Sequence, residues 1–295
     1  MDLRALRYFV EVVRQKGFTR AAQILNITQP TLSKMVRQLE EDLQSELLVR
    51  GTREVWPTDA GRILYDRGTT ILQQVNSAKE DIANIKGLTR GELRLGVTPM
   101  IGSALFIGVM RRFRERYPGI TLTVVECGSK IMATAITNGQ VEIGTMVGPI
   151  DPNLLEYRPF FSDEVALAVP VESRWAQCNE VALSELAGEN FLLPTDDFTL
   201  PDIIRSACRE AGFFPVEVGH SAQWDLLRTM VEIGMGVAPL PAQVCRLFDR
   251  QRIATVRLSR PKIALDLSFA WRRGGRPSSA ALAWIDVTIE TLSAL

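Results

Sequence analysis

Apolar residues near the N-terminus recur every three or four positions. Leu6, Phe9, Val10 and Val13 fall on one face of a predicted helix. Ala21, Ala22 and Leu25 mark a second, shorter helix with Thr19 placed to cap it, and Asn26-Ile27 interrupts the run. The two alanines suit a close helix crossing. Thr28 caps a third helix, with Pro30 in the first turn, where a missing N–H costs nothing. This helix turns Leu32, Val36 and Leu39 inward, with Met35 beside them. The 22 residues from Thr19 to Glu40 therefore predict a helix-turn-helix.

Leu47-Leu48-Val49 and Glu54-Val55-Trp56 then predict two short strands around Arg50-Gly51-Thr52-Arg53, a hairpin wing. Thr58 is placed to cap a long helix, with Asp59 at its positive end. Leu64, Ile71, Val75, Ala78, Ile82 and Ile85 recur along it at spacings of three and four, and only Gly68 breaks the series. About 30 proline-free residues predict a rod of roughly 45 Å whose apolar stripe pairs with a second copy of itself. Beyond Gly91, strands and helices alternate. Expected elements are a strand at 91–97, helix 101–116, strand 120–126, helix 129–138 and strand 141–147. A second series follows: strands 164–169 and 190–193, helix 201–211, strand 214–219, helix 223–233 and strand 236–239, closed by strand 263–271 and helix 278–292. Such alternation implies an α/β fold with a parallel sheet and right-handed crossovers. Two lobes joined by two crossing connections would hold a ligand cleft between them.

Charge sharpens the N-terminal picture. The 295 residues carry 34 basic and 34 acidic side chains, so any nucleic-acid contact must come from a local surface. No acidic residue occurs from Val12 to Leu39, whereas Arg14, Lys16, Arg20, Lys34 and Arg37 do. Opposite the buried stripe of the third helix stand Pro30, Ser33, Lys34 and Arg37, with Thr28, Gln29 and Thr31 at its N-terminal end. Side chains of these types hydrogen-bond base edges and phosphates in the major groove of double-stranded DNA. Arg50 and Arg53 would reach phosphate or the adjacent minor groove. Paired reading helices need a two-fold axis, which favours a homodimer.

Enzymatic chemistry has little to work with. His220 is the sole histidine, and Cys127, Cys178, Cys208 and Cys245 stand far apart, which argues against a zinc site, a disulfide framework and a catalytic triad. Buried reduced thiols are expected, and neither metal nor cofactor. Gly234-Met235-Gly236 follows a helix and precedes a strand, the wrong order for a dinucleotide fingerprint. No secretory signal and no run of 18 apolar residues is present, so a cytoplasmic protein without a membrane span is expected.

These features together resemble the LysR-type transcriptional regulators. The resemblance runs from Leu3 to about Leu292 and rests on AAQILNITQPTLSKMVRQLE, the wing, TDAG opening the long helix, GELRLGV at Gly91–Val97 and VEIGMGVAPLP late in the chain. It implies a winged helix-turn-helix at 1–58, a dimerising linker helix at 59–89 and a two-lobed, periplasmic-binding-protein-like effector domain at 90–295. Lobe I would comprise 90–161 and 267–295, lobe II 162–266. The family assembles commonly as a homotetramer, binds a promoter and responds to a small molecule in the cleft. Trp56-Pro57 at the wing's exit and ESRWAQ after Val171 depart from the common family pattern without touching the third helix.

For the effector, the strand-to-helix turn Thr98-Pro99-Met100-Ile101-Gly102 presents free N–H groups at a positive helix end, and Gly128-Ser129 offers a second polar edge. The turn resembles a branch that includes CidR-type regulators of carboxylate-responsive operons. Thr98, Met100, Ile101, Gly128 and Ser129 are therefore expected to contact the effector. The resemblance adds Thr195, Phe198 and Thr199 from the second lobe, and Ser221 follows a strand end. With no arginine aimed at the site, a small organic anion held by N–H and hydroxyl groups is the expected ligand. The alternative is a DNA-binding regulator whose effector domain is vestigial or redox-responsive.

Overall fold

The computed structural model describes residues 2–51, 54–83 and 90–293. Within them, the side chains of Arg50, Gln73, Ser77, Glu80, Asp81, Ala83, Met100 and Ile101 lie outside the description. The chain divides into two compact units, Met1–Ile82 and Ala83–Leu295.

Unit one begins with α1 (Leu3–Gln15), α2 (Phe18–Leu25) and α3 (Gln29–Asp42). A hairpin of β1 (Leu48–Arg50) and β2 (Val55–Pro57) and a 25-residue α4 (Asp59–Ala83) follow. The expected stripes form its core: Leu6, Phe9, Leu32, Val36 and Leu39 are fully buried with Ala21. Thr28 caps α3 as expected, its Oγ1 accepting the Thr31 N–H. The cap of α2 differs. Gly17 occupies that position and Thr19 lies inside the helix, because Lys16 turns the chain one residue earlier in the left-handed region (φ 50°). Gly68, which breaks the α4 stripe, marks a close approach: a Cβ there would lie 2.7 Å from Leu6 Cδ1. Of the stripe, Leu64 packs against the unit's core while Ile82 is 70% exposed, and Ile85 lies outside the described residues.

Unit two opens with β3 (Gly91–Val97), α5 (Pro99–Arg116), β4 (Ile120–Glu126), α6 (Ser129–Thr137) and β5 (Ile143–Val147). A 16-residue β6 (Leu155–Pro170) leads into β7 (Glu180–Val181), β8 (Asn190–Pro194), α7 (Leu200–Glu210), β9 (Val216–Ser221) and α8 (Trp224–Glu232). Then come β10 (Ala238–Pro241), the four-residue α9 (Ala242–Cys245), β11 (Ile253–Leu258), β12 (Ala264–Arg272) and α10 (Ser279–Leu292).

The sheet is mixed instead of parallel. β3 pairs in parallel with β4 and β5, and β8 with β9, but β12 runs antiparallel to β5 and β6, and both β10 and β11 are antiparallel to β6. The cause is β6 and β12 themselves. They pass between the lobes as an antiparallel pair from Ala264↔Glu164 to Arg272↔Leu155, with a register irregularity at Leu267/Ser268. The first half of β6 was not expected as strand. Its residues Glu156–Pro159 are all exposed, so no apolar alternation announces it. Beyond Glu164 its pattern turns to five consecutive buried residues flanked by β10 and β11. Lobe I centres on Phe106, Phe269 and Trp284, with Trp284 edge-on to Phe106 at 5.6 Å between centroids.

Candidate nucleic-acid interface and interlobe cavity

On α3, Gln29, Pro30, Thr31, Lys34 and Arg37 are exposed and Ser33 is half-buried, all away from the core stripe. Lys34 and Arg37 have no ion-pair partner among the described residues, so their charges stay available to solvent or phosphate. The Thr28 and Thr31 hydroxyls bond each other at 2.8 Å, which assigns Thr28 chiefly to the cap. The wing is tied to this helix: Glu40 Oε1 accepts the N–H groups of Leu47 (2.9 Å) and Leu48 (3.2 Å). Thr58 holds the hairpin's exit by donating its N–H to Leu47 O and its hydroxyl to Glu46 O. Trp56 lies under the Lys16 ammonium at 4.8 Å, and Val55 donates to the Lys16 carbonyl. Arg53 and the Arg50 side chain lie outside the described residues.

In unit two, a cavity of about 40 Å³ opens where strand ends of both lobes converge. Lobe I supplies Thr98, Leu105, Ser129 and Val147. The loop before α7 brings Phe198, Thr199 and Leu200, and the crossing strands add Asp163, Leu265 and Leu267. Pro241, Gln243 and Val244 close it. Its walls are almost wholly apolar, and its polar groups fall into three states. Thr98 is committed: its N–H donates to Thr145 Oγ1 (2.9 Å) and its hydroxyl to the Thr145 carbonyl (3.3 Å). Ser129, 3% exposed, has no hydroxyl partner among the described residues, and neither does Thr199. Asp163 is half-buried, and burial raises its carboxyl above the ordinary range against the pull of the Gln243 and Glu164 N–H groups and Arg246.

The lobes touch beside this cavity. Lys130 donates its N–H to the Asp197 carbonyl (3.1 Å) and its ammonium to Asp202 (2.6 Å). A Cβ on Gly128 would lie 2.3 Å from Asp197 O, so only glycine permits the approach. Four expected contact residues thus meet in the cavity: Thr98, Ser129, Phe198 and Thr199. Three do not line it. Gly128 abuts Asp197, the Thr195 hydroxyl bonds the Asp197 carboxylate, and Ser221 Oγ accepts the Gln223 N–H at 3.0 Å. Met100 and Ile101 have side chains outside the description.

A model of the LysR substrate-binding domain matches residues 86–293, and one of the bacterial regulatory helix-turn-helix, lysR family, matches 3–62. The chain belongs to the LysR family of transcriptional regulators. An HTH-type transcriptional regulator of Bacillus subtilis, YwbI, is 36% identical over 288 residues, covering 98% of this chain and 96% of its own. The Escherichia coli dual regulator OxyR is 30% identical over 243 residues, covering 82% and 79%. Among solved structures, a full-length OxyR variant of Pseudomonas aeruginosa superimposes with a TM-score of 0.82 at 23% identity, covering 98% and 94%. Full-length BenM gives 0.62 at 25%, covering 100% and 97%. This LysR-type regulator is a DNA-binding transcription factor with an effector-binding domain, not an enzyme.

Three thiols of this regulator are held away from the thiolate. Burial pushes Cys208 up to about 11 and Cys245 up to about 12, and burial plus the Asp197 charge raises Cys127. Cys178 is exposed and Cys127 half-buried, contrary to the expectation of four buried thiols; only Cys208 and Cys245 are buried. Lys130, the basic neighbour of Cys127 in sequence, goes to Asp202 instead. His220 is bound to Glu217 at 2.6 Å. The missed cavity residue with most chemistry is Asp163. Its signal is a carboxylate one residue removed, across Glu164, from the apolar run Val165–Val169.

Proposed function

We propose that this regulator reads promoter DNA through Gln29, Pro30, Thr31, Ser33, Lys34 and Arg37, with Thr28 setting the helix start and Arg50 and Arg53 reaching from the wing. A small organic acid in the interlobe cavity controls it. The observation that carries the second part is Ser129, a residue only 3% exposed that lines the cavity between the lobes and whose hydroxyl has no partner among the described residues. That hydroxyl is free to donate to or accept from a ligand. Ser129 and Thr199 supply hydrogen bonds, and Leu105, Val147 and Leu267 enclose an apolar body of a few atoms. The carboxylate-responsive branch suggested by the Thr98–Gly102 turn agrees with this chemistry.

Several relatives are named as hydrogen peroxide-inducible genes activators. That response is not proposed for this chain, because Cys127, Cys208 and Cys245 are all shifted away from the thiolate. The regulator acts in the cytoplasm as a homodimer or a homotetramer. Exposed apolar residues on two terminal strands, Val124 of β4 and Val216 and Val218 of β9, support association, as does the exposed Ile82 of α4.

The test is a thermal-shift screen of the full chain against small carboxylates, followed by promoter footprinting with each hit. A saturable shift that is lost in Ser129→Ala, together with a changed footprint, supports the reading. Hits that survive in both Ser129→Ala and Thr199→Val place the site elsewhere.

A further inference from the structure

Asp163 lines the cavity from β6, and its two oxygens are only half used. Oδ1 accepts the Glu164 N–H at 2.9 Å and Oδ2 the Gln243 N–H at 3.1 Å. A carboxylate offers about four acceptor sites, so each oxygen keeps one to spare. The charged groups around it are Arg246 and Glu164, and the Arg246 guanidinium is engaged with Gln243 Oε1 at 3.2 Å. The same cavity holds the unpartnered hydroxyls of Ser129 and Thr199, each able to donate and to accept. Asp163, acceptor-only and negatively charged, and the two adaptable hydroxyls are thus lining groups with hydrogen-bonding capacity left, set in walls whose open surface is almost wholly apolar.

A bare carboxylate does not satisfy that set. It would meet the Asp163 charge in a site poor in water, where like charges repel strongly. A hydrogen atom must lie between the two, carried by the ligand or taken up by Asp163. Burial already disfavours the charged form of this side chain. We infer that Asp163 sets effector specificity: the cavity takes a small acid carrying a second, donating group, a hydroxyl or an ammonium. Asp163 accepts from that group while Ser129 and Thr199 hold the carboxylate. This inference rests on the cavity being the effector site.

Matched trios on one carbon skeleton test it. Propionate, lactate and alanine form one trio; butyrate, 2-hydroxybutyrate and 2-aminobutyrate a second; valerate and its 2-hydroxy and 2-amino derivatives a third. Each is titrated into the full chain by calorimetry and thermal shift at fixed ionic strength and pH. At least one hydroxy or amino acid should bind about tenfold or more tightly than its bare parent, the scale set by leaving a buried polar group unpaired. Asp163→Asn should erase or reverse that preference, and Asp163→Glu, which restores an acceptor, should recover part of it. Bare acids that bind as tightly as their derivatives overturn the donor requirement and leave the effector site standing. So does a preference unchanged in Asp163→Asn. No shift from any of the nine, in a chain that melts cooperatively and binds its promoter, overturns the small-acid reading and this inference with it.

Discussion

Replacing Gly128 by alanine should part the two lobes without unfolding either. The residue sits at φ −65° and ψ 155°, which alanine adopts freely, so its own backbone adds no strain. The obstacle is Asp197: the new Cβ would lie 2.3 Å from its carbonyl oxygen and 2.6 Å from its carbonyl carbon. These are backbone atoms, so the loop as a whole must retreat. Overpacking of this kind costs roughly 1–3 kcal/mol. Retreat also breaks the Lys130 N–H to Asp197 bond, worth about 1 kcal/mol. The Lys130–Asp202 pair, whose side chains are 39% and 54% exposed, adds ~0.5 kcal/mol at most after screening. The sum, about 2–4 kcal/mol against the closed arrangement, lowers its population relative to the open one by roughly 30- to 1,000-fold.

Amide hydrogen exchange reads this directly, with no ligand required. Lys130 lies in the first turn of α6, where an N–H has no intrahelical acceptor, so its bond to Asp197 reports closure. In Gly128→Ala the Lys130 amide should exchange faster by a large part of that factor. The Thr98 amide, bonded to Thr145 within one lobe, should not change. An unchanged Lys130 rate would refute the argument, and equal acceleration at Thr98 would show general loosening instead.

Lys34→Ala and Arg37→Ala should each weaken promoter binding by about tenfold and flatten its salt dependence by close to one phosphate contact. Fluorescence anisotropy across a salt series checks this, and unchanged slopes in both would remove α3 as the reader. Glu217 is pulled to about 2 from 4.5, chiefly by hydrogen bonds from Arg205 and then from His220. A carboxyl with a depressed folded value contributes stability that is present above 4.5 and lost as pH falls toward 2. Glu217→Gln should therefore cost ~1 kcal/mol at pH 7 after allowance for solvent screening and flatten the acid limb between those values. Urea melts from pH 7 to 2.5 measure it, and parallel curves would contradict the assignment.

Local sequence determined the N-terminal unit because its signals are local. Helix caps, a first-turn proline and apolar residues three and four apart act within one or two turns, so α1, α3 and the hairpin stand where the pattern places them. The cap of α2 escaped only because Lys16 turns in the left-handed region, a choice that side-chain type does not announce. The cavity is another matter. Thr98, Asp163, Thr199 and Leu267 come from four elements spread over 170 residues of chain. Strand-end reasoning found those lining residues that sit at turns, Thr98 and Ser129, and resemblance found Phe198 and Thr199. Asp163 and Leu267 belong to the crossing strands, and which of their faces meets the cavity depends on the antiparallel register of β6 with β12. That register is set by pairing between distant segments, as is the contact of Gly128 with Asp197. No periodicity within either segment encodes it, and so only the folded chain decides which carboxylate lines the cavity.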